Sequence, residues 1–419
     1  MAEIRTLPNG VTLVAEPDPK HMSQAYGVFV RSGSSLEHPE QQGIAHVIEH
    51  MVFKGTENRT GQEIAWAIDD LGGDLDAFTS KEFTAYYSRV LPQSGPKALD
   101  LLADLALAPR FDEADLERER QVVVEEIRLA EDTPDELVHD LLEGEVFKGH
   151  ALSGPVLGTE EAVRSFDADD LISFYRAHYR GENIVVSAAG AIDVDTFFRR
   201  AESLFHAVPK GARPNRVVKP AITRGLEVRD RPAGELHLTL GGLALPLSDP
   251  SVYAVQLLLA ILGGGPSSRL FRRLREETGI SYSVYAYDAL YSVAGLFGIY
   301  MDLAPESLRQ AVGILYDTLE EVRLETVTRK ELRRAQEQVA TGFVLGLETP
   351  YNLMEQNAVS LLLLGRIPGV KEVLRQVRAV TPADVADVAR AILHPDRLSL
   401  AAVGPWPEEV PVEDWTSLS

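Results

Sequence analysis

Hydrophobic periodicity changes several times within the first 150 residues. Asn9-Gly10 between two short apolar runs predicts a hairpin, and Gln24 to Arg31 alternates like a strand. Thr60-Gly-Gln-Glu63 is a capping box that opens a helix, and Gly72-Gly73 closes it. Leu75 to Thr79 and Phe83 to Leu91 are rich in aromatic and β-branched residues and read as paired strands. Helical spacing runs through Gly95–Leu107, Asp112–Ala130 and Pro134–Phe147, the last with Thr133 as cap and Pro134 at the first helical position. Strands linked by hairpins and interleaved with helices predict an α+β architecture, helices packed on a largely antiparallel sheet.

The pattern then repeats. At an offset of 216, Leu116 falls on Leu332, Thr133-Pro134 on Thr349-Pro350 and Leu137 on Leu353. At an offset of 214, Asp167-Ala-Asp-Asp-Leu171 falls on Thr381-Pro-Ala-Asp-Val385, and Val186–Gly190 on Leu400–Gly404. Such a shared offset implies two copies of one domain. Between them, Val208–Pro220 is rich in Pro and basic residues and reads as an exposed linker. The expected domains are 1–215 and 216–419.

Composition narrows the chemistry. With 419 residues and 45% apolar content the chain is large enough for two real cores. It has no Cys, so any metal site must be built from His and carboxylates. Its 41 basic residues against 63 acidic ones give a formal charge of −22, which argues against a nucleic-acid partner. Apolar runs such as Leu257–Leu262 fall far short of the ~20 residues of a membrane span, so no membrane partner is expected. The first ten residues lack a signal-peptide pattern, which predicts a cytoplasmic protein.

His46-Val-Ile-Glu-His50 is the segment that carries chemistry. On a helix, His at i and i+4 lie one turn apart on the same face, so both rings can converge on one ion. Glu49 lies beside that face, placed to meet a water rather than the metal; this is the inverted zincin arrangement H-x-x-E-H. The alternative is an amphipathic helix with His on its polar face. Against it, Gly43–Phe53 is otherwise strongly apolar, and ionisable groups in such a setting need partners.

Gly43-Ile-Ala-His-Val-Ile-Glu-His-Met-Val-Phe-Lys-Gly-Thr56, with Leu75-Asp-Ala-Phe-Thr-Ser80 and Thr84-Ala-Tyr-Tyr87, resembles the M16 (pitrilysin/insulinase) zinc peptidases, within them the processing-peptidase-like subfamily. The resemblance covers nearly the whole chain. It implies two homologous domains of the fold shared by processing peptidases and LuxS-like metallohydrolases, the first binding zinc and the second lacking the motif. It also implies one Zn2+ per chain and hydrolysis of small or unfolded peptides in an enclosed chamber, with Glu49 as general base. The third ligand it implies lies about 76 residues after the second His, which is Glu126 in Val123-Val-Glu-Glu-Ile127. Helix geometry agrees: Glu119, seven residues earlier, is only about 20° away around the helix and can stand behind a ligand, whereas Glu125 is about 100° off. Glu117 and Glu125 are expected on a solvated face.

In the second half, Glu126 falls on Gly342 and Glu119 on Ala335, so the triad is missing there. That half instead has Leu262–Phe271, similar to the family's Gly-rich loop, followed by Arg275 and Tyr282, which match its Arg/Tyr pair. The resemblance implies that this pair faces the zinc across the chamber and contacts peptide or the reacting carbonyl. The competing views are a surface charge for Arg275 and a core aromatic for Tyr282. The strand with Asp76 and Ala77 resembles the family's peptide-binding edge strand, with Asp76 where the family usually has Asn. Carrying both the zinc motif and the Arg/Tyr pair favours a homodimer; a heterodimer with a related chain, or a non-catalytic, partner-dependent subunit, is the alternative. His150, without a spacing partner, is expected to be structural.

Overall fold

The computed structural model of the chain describes residues 2–211 and 218–408. The architecture is α+β, built on two sheets. The first contains β1 (Glu3–Thr6), β2 (Thr12–Pro17), β3 (Gln24–Val30), β4 (Asp74–Thr79), β5 (Thr84–Val90) and β6 (Ile184–Gly190), in the order β1-β2-β6-β3-β5-β4. The second contains β7 (Leu226–Asp230), β8 (Leu236–Ala244), β9 (Val284–Leu290), β10 (Gly295–Leu303) and β11 (Leu398–Gly404), in the order β7-β11-β8-β10-β9. Without β1, the two orders are identical. In each sheet one pair is parallel, β2 with β6 and β7 with β11, and the other pairings are antiparallel.

Local signals behave as their physics requires. The β1–β2 hairpin pairs Thr6 with Thr12 around Gly10 (φ +99°). The Gly61–Leu71 helix has both arms of its capping box, and Gly72 ends it in the left-handed region. Helices span Gly95–Leu107, Glu113–Glu131 and Pro134–Val146, close to expectation. Thr133 departs from it: it occupies the cap position, but its hydroxyl donates to the Leu129 carbonyl of the preceding helix instead.

The chain forms two compact units, Met1–Arg128 with Gly154–Val217 and Leu345–Ile367, and Leu129–Ser153 with Val218–Val344 and Pro368–Ser419. They are therefore not the contiguous halves 1–215 and 216–419; that boundary itself lies outside the described residues. Each unit includes one helical segment from the opposite half of the sequence. In the first unit, one face of the sheet packs on helices from the same half of the sequence, with Ile44, Val47, Ile48, Leu99 and Leu102 in the core. Its other face, with Val14, Ala25, Phe29 and Val185, packs on Met354 and Ala358 of the Pro350–Val359 helix. In the second unit, Val138, Leu142 and Val146 of the Pro134–Val146 helix cover Leu296, Tyr300 and Val403 in the same way.

The physical cause is burial of the second face. Every residue of β3 is buried, so its polar/apolar alternation does not mark an exposed side. Gly27 in β3 and Gly241 in β8 stand 214 residues apart and mark the close approach. A Cβ on Gly27 would lie 2.5 Å from Met354 Sδ, and one on Gly241 2.9 Å from Leu142 Cδ2. No helix among the described residues is long and apolar enough to cross a membrane.

Candidate metal centre

The motif helix, Ile44–Met51, is short and held at its start by groups outside it. Gly43 adopts φ +95°, and a Cβ there would come within 2.7 Å of the Leu157 carbonyl, so glycine is required twice over. Glu37 supplies the missing cap: its two carboxylate oxygens accept the Gly43 and Ala45 N–H groups at 2.8 and 2.9 Å. Burial pushes the Glu37 carboxyl up to about 8, against those two donors and the nearby Lys81 charge. Ile44, Ala45, Val47, Ile48 and Met51 are buried in the core, which fixes the rotation of the helix and directs His46 and His50 together.

Among the described residues, His46, His50 and Glu126 form the one group of His or carboxylate side chains able to hold an ion, with ligand atoms all within 4.8 Å of one another. His46 Nε2 lies 3.8 Å and His50 Nε2 3.3 Å from Glu126 Oε2. Glu126 reaches them from the Glu113–Glu131 helix, whose Leu116, Val123, Val124 and Ile127 are buried. Burial, with the His50 charge adding to it, holds His46 down at about 3, so its imidazole is neutral, the form that ligates a metal. For His50, burial also lowers the value, but the Glu119 hydrogen bond and the charges of Glu126, Glu49 and Glu119 outweigh it and raise the net result. The same carboxylates would draw in a divalent cation. Two imidazoles and one carboxylate converging this closely are a donor set suited to zinc.

Around this group the supporting contacts are specific. Glu119 is buried, and its Oε2 lies 3.3 Å from His50 Nδ1, which leaves Nε2 turned towards Glu126. Its other oxygen pairs with Lys54 Nζ at 2.7 Å. Burial raises the Glu119 carboxyl, but the hydrogen bonds from His50 and Lys54 overcome it and bring it below the usual range. Glu117 and Glu125 point to solvent and pair with Arg120 and Arg128 on their own helix. Glu49 is held by the Thr79 hydroxyl, which donates to Oε2 at 2.5 Å. Burial raises its carboxyl, with the Thr79 bond and His50 opposing.

Thr79 ends β4, which is an edge of its sheet and pairs only with β5. Leu75 and Ala77 pack towards the motif helix, whereas Phe78 packs on the opposite face. Asp76 is exposed on this strand, and its Oδ1 accepts the Ala77 N–H at 2.8 Å.

In the second unit, Arg275 and Tyr282 come together. The Arg275 guanidinium carbon lies 4.4 Å from the Tyr282 ring centroid and 5.0 Å from that of Phe271. Tyr282 is 73% exposed, which removes the view of it as a core aromatic. Arg275 sits on the π-helical segment Phe271–Glu277, a widened turn of a kind that recurs at functional sites. His150 is engaged by backbone on both ring nitrogens, Val218 O at one and Leu152 N–H at the other.

Three supporting residues escape sequence reasoning. Lys54 carried a signal, since it follows His50 by one helical turn. Thr79 and Glu37 carried none that periodicity reads, because each acts across a turn or a strand rather than along a helix.

Comparison with known proteins adds a second line of observation. Residues 12–160 match the family model described as Insulinase (Peptidase family M16), and residues 165–339 match the one described as Peptidase M16 inactive domain. A Bacillus subtilis protein named as an uncharacterized zinc protease is 37% identical over 400 residues, covering 96% of this chain and 97% of that protein. One from Streptomyces coelicolor with the same description is 38% identical over 409 residues, covering 96% and 89%. Among solved structures, a peptidase M16 inactive domain from Pseudomonas fluorescens superposes with a TM-score of 0.89 at 21% identity, covering 98% of this chain and 100% of that one. A Helicobacter pylori protease gives 0.90 at 21%, covering 97% and 99%. At that identity the two structures speak for the fold.

Proposed function

The chain belongs to the insulinase (M16) peptidase family, and from that premise we propose that it is a zinc-dependent endopeptidase acting on small or unfolded peptides. The observation that carries this reading is the convergence of His46, His50 and Glu126 beside a carboxylate, Glu49, that is held by Thr79 and is not one of the three. In this reading the three converging residues hold one Zn2+, which when bound supplies Lewis acidity to the scissile carbonyl and to water. Glu49, with one oxygen fixed by Thr79, uses the other to take the proton of the attacking water and then delivers it to the leaving amine. Glu119 orients His50 through Nδ1, and Lys54 keeps Glu119 ionised.

Peptide is held by main-chain hydrogen bonds to the free edge of β4 at Asp76 and Ala77, which would explain tolerance of varied sequences. Adding a strand there requires Asp76 to release the Ala77 N–H it now binds. Arg275 and Tyr282 supply a cationic and a phenolic donor for the substrate backbone or the developing oxyanion. A homodimer is part of this proposal, because one chain carries both sets of residues; light scattering on an active fraction tests it, and an active monomer argues against it.

The decisive experiment is hydrolysis of a mixture of quenched peptides by metal-replete protein, by protein with chelator, and by Glu49→Gln. Cleavage lost in both treatments is expected. Cleavage that survives both, or no cleavage of any peptide by the wild type, refutes the proposal.

A further inference from the structure

The segment between Arg275 and Tyr282 is unusually well tied. Gly279 turns it with φ +66°, and the next four backbone N–H groups all find acceptors. Ile280 and Ser281 N–H both donate to the Leu274 carbonyl, at 2.9 and 3.2 Å, next to Arg275. Tyr282 and Ser283 N–H both donate to Asp302 Oδ1, each at 2.8 Å, while the Ser281 hydroxyl lies 2.9 Å from the Ser283 carbonyl and 3.2 Å from that same Asp302 oxygen. Asp302 lies on β10 and is buried, so two backbone donors converge on one oxygen in a place poorly reached by water. In the other direction, Asp302 N–H donates to the Ser283 carbonyl at 3.2 Å. The exposed product of this buried clamp is the Tyr282 ring lying against the Arg275 guanidinium.

We propose that Asp302 is the positioning residue of the Arg275/Tyr282 pair: its Oδ1 fixes the Ser281–Ser283 backbone and thereby the stacked orientation in which the two side chains meet substrate. The clamp is read from the geometry alone; only its catalytic consequence rests on the peptidase reading. Because one oxygen receives both backbone hydrogen bonds, the arrangement needs an acceptor at that point and not a second oxygen. The distinguishing consequence is that Asp302→Asn, whose amide oxygen can take the same two backbone donors, retains function, whereas Asp302→Ala loses it.

The test compares wild type, D302N, D302A, Tyr282→Ala and the double variant D302A/Tyr282→Ala. Two readouts are taken: kcat and KM on a quenched peptide, and amide hydrogen exchange over residues 279–284. D302A is expected to lower kcat/KM by roughly 10- to 100-fold, the scale of a misplaced positioning group, and D302N by less than about threefold. The double variant should be no worse than Tyr282→Ala alone, since Asp302 acts through that residue. Exchange over 279–284 should quicken in D302A and remain near wild type in D302N. A merely structural role would instead make D302A and Tyr282→Ala additive. Additive losses, a D302N as impaired as D302A, or unchanged exchange in D302A overturns the proposal. An inactive wild type would remove the peptidase reading, and exchange would still decide the clamp.

Discussion

Glu119→Gln isolates the contribution of a residue that touches no substrate. Glu119 Oε2 faces His50 Nδ1 at 3.3 Å, and Oε1 holds Lys54 at 2.7 Å. Glutamine keeps the shape and one acceptor oxygen but loses the charge and must offer an amide to one of the two cations or donors. A hydrogen bond to a charged group contributes about 1.5–3 kcal/mol. At 3.3 Å the bond to His50 is long, so the loss should fall at the lower end. Zinc affinity should therefore drop about tenfold, ~1.4 kcal/mol, within the usual range for partners of metal-bound His. The assay is competition with a chromophoric chelator at fixed pH, with Glu125→Gln as control because Glu125 is exposed on the same helix and pairs with Arg128. Affinity within twofold of wild type for Glu119→Gln, or an equal loss in Glu125→Gln, refutes the reasoning.

Other outcomes follow from the same geometry. Glu49→Gln should lower kcat by about 10²–10⁴-fold while zinc content by elemental analysis matches that of wild type, and Thr79→Val should lower kcat in the same direction but less. Met354→Ala should destabilise the first unit by about 2–4 kcal/mol, read as a lower urea midpoint, because Met354 is fully buried against the far face of its sheet. Glu331 gives an acid-dependent term. Burial alone would raise it, but hydrogen bonds from Arg269 Nε and Nη2 at 2.8 and 3.2 Å and from Thr328 hold it at about 2. A carboxyl lowered from about 4.3 contributes its full stability above that pH and loses it as pH falls towards 2. The urea midpoint of Glu331→Gln should therefore fall less than that of wild type between pH 6 and pH 3; an equal fall contradicts the sign.

Much of the site was legible because its parts act over short range. His46 and His50 share a helix face by spacing alone, and Glu119 and Glu126 share another by the same rule; the structure places all four side chains together. Which helix supplies the third group was not derivable from periodicity and came from resemblance. Glu37 and Thr79 were invisible, since one caps a helix from six residues away and the other reaches Glu49 from a strand 30 residues on. The π-helical segment under Arg275 was also unreadable: its residues have ordinary helical character, and the widened turn is visible only in the folded backbone. Thr133 shows the converse, a correct cap position whose hydroxyl found a better local partner.

By itself, the sequence determined most elements of its first 150 residues, the 214–216 offset that makes two similar sheets, and the chemistry available to a metal without Cys. These follow from interactions within a few residues and from composition. The tertiary structure alone decided that the Pro134–Val146 and Pro350–Val359 helices change units, and that buried Asp302 holds the loop carrying Tyr282. The reason is the same in both cases. An apolar sheet face must be covered and a buried oxygen must be satisfied, and the groups that do so are chosen by proximity in space rather than along the chain.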